Sequence, residues 1–315
     1  MKKLHIFIIL LSILGFYSCE DVIDVELNQG QVQLIIDAWV NNGVKDQMIH
    51  LNRSTQYFDP NESAFVSDAD VYILEFQGNG DAKIYTDSFS FIHTDSGKYI
   101  YEINDSADVL GQVYGNYELH VIDGLDHYVG EAMCNRPVIM DSATWYYDDG
   151  TADILTPAGY YVLVYPRDPV GFNDIYRVMP FKNDTMLGTP ANIIIAYDAS
   201  FGFPSEYDGL QFIPPLRFSV NQTRWKEGDI ARVEYESMSI GAYEFYGGVR
   251  DQQSNSQFAL FAAPVSNLRT NLTNKDTLGA EPLGFFNMGS YLEVAMEIGD
   301  STKQSRDPFI IENGM

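Results

Sequence analysis

Cysteine is nearly absent from this chain: 315 residues hold two, Cys19 and Cys134. That count excludes the disulfide framework that staples small secreted domains. Positive charge is scarce too. The 19 Lys and Arg face 44 Asp and Glu, a formal net charge of -25, and a surface of that sign repels phosphate backbones, so nucleic acid is excluded as a partner. Long apolar runs are missing: the stretch from Leu4 to Phe16 falls short of the roughly 20 residues that cross a bilayer. The spacings H-E-x-x-H, G-x-S-x-G, G-x-G-x-x-G, the Walker loop and paired Cys-x-x-Cys elements do not occur either. Their absence removes the common routes to catalysis. No catalytic residue, metal or cofactor is expected, and no internal repeat or low-complexity block is visible.

What is present suits a folded protein of more than one small domain. Hydrophobic residues make up 45% and aromatics 14% of the chain, enough to build real cores. At the start, Lys2 and Lys3 precede the apolar run, and Tyr17, Ser18 and Cys19 follow it, with Glu20, Asp21, Asp24 and Glu26 beyond. This order resembles a bacterial lipoprotein signal, which implies cleavage before Cys19 and acylation of its thiol. Residues 1–18 are then a signal peptide and 19–30 an acidic tether. With Cys19 so used, Cys134 is the only remaining thiol, and a lone Cys in apolar surroundings reads as a small core residue.

The body of the chain reads as strands. Val32 to Val40 and Gln47 to Asn52 flank Asn42-Gly43 as a hairpin, Ala69 to Phe76 and Lys98 to Glu102 follow, and Asn116 to Ile122 turns back into Tyr128 to Met133. In the last pair Tyr117, Leu119 and Val121 alternate onto one face. Short strands with turn signals at this spacing predict an immunoglobulin-like β-sandwich over residues 31–135. Arg136-Pro137 is the expected boundary.

Beyond it, 143–147, 159–165, 175–182, 193–197, 216–220, 230–236, 284–287 and 291–298 carry strand patterns. Ser239 to Gln253 places Ala242, Tyr243, Tyr246 and Val249 at helical spacing. The expected fold class is therefore all-β: the sandwich, then a second β-rich domain over 136–315, barrel- or sandwich-like, with one short helix. Phe201 to Pro215 has no clean period and reads as a long loop or lid.

Candidate sites are few. His120 and His127 flank the Asp123–Asp126 turn and could approach a metal together. Strand neighbours need not share a face, however, and a solvated hairpin tip is the plainer reading. Asp68, Asp70 and Asp148-Asp149-Gly150 could offer hard oxygen ligands to calcium, against which stand ordinary turn formation and solvation. Aromatics are more suggestive. Trp145 and Tyr146, with Phe201, Phe203, Tyr207 and Phe212 in the loop, are the candidate contact residues for a ligand or partner. Against that platform stands a core in which Trp145, Tyr147 and Tyr161 alternate inward.

One resemblance spans nearly the whole chain beyond the leader. The lipoprotein cysteine, Leu34 to Val40, Asp68-Ala-Asp-Val71, Gly97-Lys-Tyr99, Gly115-Asn-Tyr-Glu-Leu-His-Val121, Tyr243-Glu-Phe-Tyr246, Pro264 to Asn271 and Leu283-Gly-Phe-Phe286 follow in an order similar to the outer-membrane lipoproteins of domain of unknown function 4249. That resemblance implies a Bacteroidetes-type lipoprotein with a lipid anchor in the outer membrane, facing the cell surface, often beside a TonB-dependent transporter. It implies no catalytic residues. The expectation is a non-enzymatic binding or accessory component of nutrient uptake whose ligand is unknown. An adhesin or matrix-building protein is the alternative, and a surface hydrolase stands third.

Overall fold

The computed structural model describes residues 31–55, 64–151, 157–171, 174–187, 194–197, 209, 223–255, 267–276 and 278–299. Signal, tether, Cys19, the 216–220 strand pattern and the loop residues Phe201, Phe203, Tyr207 and Phe212 lie outside them.

Alternation of apolar and polar residues builds the first sheet. In β1 (Leu34–Asn41), Leu34, Ile36, Ala38 and Val40 are buried on one face while Ile35, Asp37 and Trp39 point the other way. β2 (Gln47–Arg53), β3 (Asp70–Gln77), β4 (Ile84–His93), β5 (Lys98–Tyr101), β6 (Asn116–Asp123) and β7 (Asp126–Met133) follow in the chain. Tyr117, Leu119 and Val121 of β6 point inward as their alternation predicts, into a core shared with Ile49, Leu51, Ile73, Tyr99 and Phe286.

Two strands of this sheet come from beyond Arg136. β14 (Leu272–Asn274) pairs with β7, and β15 (Leu283–Gly289) pairs in parallel with β1. The order is β14-β7-β6-β3-β4-β5-β2-β1-β15. Its two ends meet through one side chain: Asn271 donates from Nδ2 to the carbonyls of Glu131 and Phe286, at 3.0 and 2.8 Å, and accepts from the Phe286 amide. The result is a nearly closed, barrel-like sheet with its edges covered.

Gly284 allows the closing strand to approach. Its φ is +97°, and a Cβ there would overlap the Ile36 carbonyl oxygen of β1, so only glycine fits.

Outside the barrel, β8 (Ile139–Asp148) and β9 (Gly159–Arg167) form a two-stranded ribbon. β10 (Ile175–Lys182), β11 (Thr185–Met186), β13 (Ile230–Ser237) and β16 (Tyr291–Glu297) form a second sheet, with β12 (Ile194–Tyr197) also on β10. Asn183 and Asp184, at φ +47° and +64°, turn β10 into β11, as short polar residues do in tight hairpins. Trp145, Val162, Val164, Tyr176, Val178, Val233 and Tyr235 pack between ribbon and second sheet.

Among the described residues one α-helix occurs, α1 (Ile240–Asn255). Ser239 caps it through Oγ, which accepts from the Ala242 amide at 3.1 Å. Both sheets and α1 belong to one compact unit, Val32–Met315. Where the chain leaves β7, a polar clamp ties the sheets together: the Asn135 carbonyl accepts from the hydroxyls of Ser237 and Ser290, and its Nδ2 donates to the Met238 carbonyl at 2.9 Å.

Among the described residues the β-rich expectation with one helix is met, within a residue or a few at most strand ends, and in place of two packed sheets over 31–135 stands one nearly closed nine-stranded sheet. Three strands were not anticipated, although β4 carries alternating Phe89 and Phe91 that enter the core. β4 (IYTDSFSFIH) is exposed along most of its length, and β11 and β14 are two and three residues long.

Candidate binding site

Trp145 and Tyr146 are both buried. In the β8–β9 register Trp145 faces Val162, and Tyr147 faces Tyr160 on the core side. Tyr146 faces Tyr161, and their rings stack at 5.4 Å on the other side of the ribbon. Tyr161 therefore does not share the inward face of Trp145 and Tyr147, because antiparallel partners point the same way and sequence neighbours do not. Neither Trp145 nor Tyr146 offers an open ring to a partner.

The two histidines do share a face. His120 Nδ1 and His127 Nε2 are 2.9 Å apart, diagonal neighbours on β6 and β7, and the His120 ring stacks on Tyr72 at 4.7 Å. His120 Nε2 lies 2.9 Å from Glu118 Oε1, off the hydrogen-bond axis. Glu118 takes a proton donor from Lys83 and another from Tyr85, the latter at 2.9 Å. Burial pushes the His120 pKa down, with His127 adding to the shift and Glu118 opposing it. Burial would raise Glu118, but the hydrogen bonds from Lys83 and Tyr85 outweigh it and hold the carboxyl below its usual range. Among the described residues no group of three or more His, Cys, Asp or Glu could hold a metal ion. This cluster is a charge network on the barrel wall.

A second cluster lies where the barrel wall, the second sheet and α1 meet. Arg177 of β10 and Glu236 of β13 are register partners, and Arg177 Nη2 pairs with a Glu236 carboxylate that is 0% exposed. Arg177 Nη1 donates to the Tyr246 hydroxyl of α1 at 2.5 Å. The guanidinium lies over Trp39 and Tyr246, 5.1 and 5.5 Å from their ring centres. Trp39 in turn meets Tyr246 edge-on at 4.6 Å and stacks on Phe285 at 5.9 Å. Ile175, Met238, Ala242 and Phe285 form the apolar floor.

Alternation explains the placement. β10 sends Ile175 and Arg177 toward this junction and Tyr176 and Val178 to the opposite core, while β1 turns Asp37 and Trp39 out of the barrel.

The site is electrostatically tense. Burial works against the charge of Arg177, and Glu236 and Tyr246 overcome it, so its pKa rises. Burial raises Tyr246 despite the guanidinium, and it raises Asp37, which Arg177 also opposes. Lys45, 3.0 Å from Glu234, is lowered by burial against the pull of Glu236 and Glu293. Among the described residues two polar atoms of the central pair, Arg177 Nε and Glu236 Oε1, have no hydrogen-bond partner. A buried donor and a buried acceptor without partners are uncommon in a folded protein and single out this ion pair as the candidate site.

Burial raises the Cys134 thiol to about 11, where it stays protonated and inert. None of Trp39, Arg177, Glu236 or Tyr246 stands out as a site residue in the sequence. The available signal was a charge interrupting an apolar strand, Arg177 in IYRVMPFK and Glu236 in IARVEYES.

Among the described residues no helix is long and apolar enough to cross a membrane. The family model described as "Domain of unknown function (DUF4249)" matches residues 20–293. No curated protein matches the chain.

Proposed function

The chain belongs to the family described as Domain of unknown function (DUF4249), and on that footing we propose a non-enzymatic binding component, anchored at the outer membrane through a lipidated Cys19 and working beside a TonB-dependent transporter. Anchoring is supported by Lys2, Lys3, the apolar run and the cysteine that follows it. The nearly closed sheet is read as a spacer. The junction of the second sheet with α1 is read as the part that meets cargo or transporter.

One observation carries binding over catalysis. Arg177 and Glu236 each keep a buried polar atom without a hydrogen-bond partner inside an aromatic surround. Buried donors and acceptors discriminate between ligands strongly, since a wrong partner leaves them unpaired.

The test is affinity isolation of the tagged full chain from detergent-solubilised outer membranes. A β-barrel transporter is expected with the wild type, lost with Cys19→Ser and weakened with Trp39→Ala. Recovery of the wild type in the aqueous fraction without detergent, or turnover of a glycan or peptide panel, overturns the proposal. Self-association as an adhesin is favoured by exposed Met48 and Ile92, which flank Ile100 on the outer wall. A homo-oligomer eluting without transporter would select that reading.

A further inference from the structure

The barrel has two unlike ends. At one, the β1–β2 turn, the β7–β8 connection and the β15–β16 junction adjoin the second sheet, through contacts such as Lys45 with Glu234 and the Asn135 clamp. At the other, the chain enters at Gln33. Its amide and carbonyl meet Ser54, and its side chain donates to the Glu281 carbonyl at 2.8 Å. The β4–β5, β6–β7 and β14–β15 turns share this entry end.

The two most exposed large apolar side chains among the described residues stand there, while the opposite end exposes Val44, Ile84 and Tyr114 to a lesser degree. Leu125 and Leu278 are each 94% exposed, at the tips of adjacent turns, one residue to either side of the contact between Asp126 and Gly279. Val32 and Phe65 are exposed on the same rim. The carboxylates between the leucines are already engaged: Asp123 with Arg53, Asp126 with Asn274, Glu281 with the Asn274 amide and Asp276 with the Leu278 amide. Neither leucine serves the turn it sits in, since Gly124 at φ +64° makes the first and Asp276 the second.

We infer that this entry end is a lipid-contacting face, with Leu125 and Leu278 dipping into the interfacial region of the bilayer to which Cys19 is attached. The inference rests on the anchoring proposed above and adds an orientation to it. Twelve peptide units separate Cys19 from Gln31. They span at most about 40 Å fully extended. The entry end is thus held at high local concentration beside the membrane, and the occupant that chain length delivers to these leucines is lipid. A chain this acidic is repelled by anionic headgroups, so the partner surface is zwitterionic.

The test separates the face from the anchor. Full chains carrying Cys134→Ser, with and without Leu125→Trp, Leu278→Trp or Val44→Trp, are coupled through Cys19 to a maleimide lipid. The vesicles are phosphatidylcholine with acyl chains brominated near the headgroup. Val44 is 68% exposed at the opposite end of the barrel. After subtraction of the common tryptophan signal, quenching at positions 125 and 278 is expected to exceed that at 44 at least twofold. Equal quenching at all three overturns the inference, even where mass spectrometry of the native chain shows Cys19 acylated. An unacylated native Cys19 overturns the anchoring while the coupled chain still reports on the face.

Discussion

Glu236→Gln is the most informative single substitution in the molecule. The carboxylate is fully buried, and Arg177, its partner, is 9% exposed. Removing the negative charge leaves a guanidinium whose remaining support is the Tyr246 hydroxyl, the new amide oxygen and two ring faces. Breaking one side of a buried ion pair costs about 3–5 kcal/mol. A retained neutral hydrogen bond and cation–π contacts worth about 0.5–2 kcal/mol put the expectation near the low end, about 3 kcal/mol. For a chain this size that lowers the melting midpoint by roughly 5–10 °C.

The assay is urea and thermal unfolding of the Cys19→Ser chain, run on Glu236→Gln, Arg177→Met and the double variant Arg177→Met/Glu236→Leu. The double is expected within about 1–2 kcal/mol of wild type, because an apolar pair of similar volume removes the desolvation penalty along with the attraction. A single-variant cost below about 1 kcal/mol, or a double equal to the sum of the singles, would refute a coupled buried pair at this junction.

Further outcomes are expected elsewhere. Gly284→Ala should cost at least about 1–3 kcal/mol, since it adds a side chain at positive φ against the Ile36 carbonyl; an unchanged urea midpoint would contradict the close approach of β15 to β1. In the Cys19→Ser chain, a thiol reagent at pH 8 should leave Cys134 unmodified until denaturant is added, because burial holds its pKa near 11. Rapid labelling of the native state would count against that burial. The folded pKa of His120 lies below its ordinary value of 6.5, so the stability it contributes is full above pH 6.5 and drains as acid protonates the unfolded chain first. Glu118, also held low, adds a further loss below pH 4.5. A His120→Gln chain should lose less stability than wild type between pH 7.5 and 5.5, and an equal loss would remove His120 from the account. A 31–135 fragment lacks β14 and β15, which cover the outer strands of the barrel. It should aggregate or stay unfolded, and a sharp cooperative transition by circular dichroism would show that those strands are dispensable.

Strand existence was legible for most of the longer strands with one buried face. Residues 175–182 match β10 end to end, and the inward set of β6 follows from Tyr117, Leu119 and Val121. In β4 apolar residues stand on both faces, Phe89 and Phe91 buried and Ile84 and Ile92 exposed, so burial could not be read from hydrophobicity there. Partnership between distant strands was not legible at all. β15 lies against β1 in parallel across most of the chain, and nothing local in Leu283-Gly-Phe-Phe286 says that its glycine answers the Ile36 carbonyl. The candidate site was hidden for the same reason: Trp39, Arg177, Glu236 and Tyr246 come from four elements, and each reads alone as an ordinary strand or helix residue.

By itself, then, the sequence determined an acidic, mostly sheet-built chain with too few cysteines for a disulfide framework, because composition and side-chain alternation are local properties of covalent geometry. Tertiary structure alone decided which strands close the barrel, which charges are buried in pairs and which leucines stand exposed beside the entering chain. Those depend on long-range pairing, which no local period encodes.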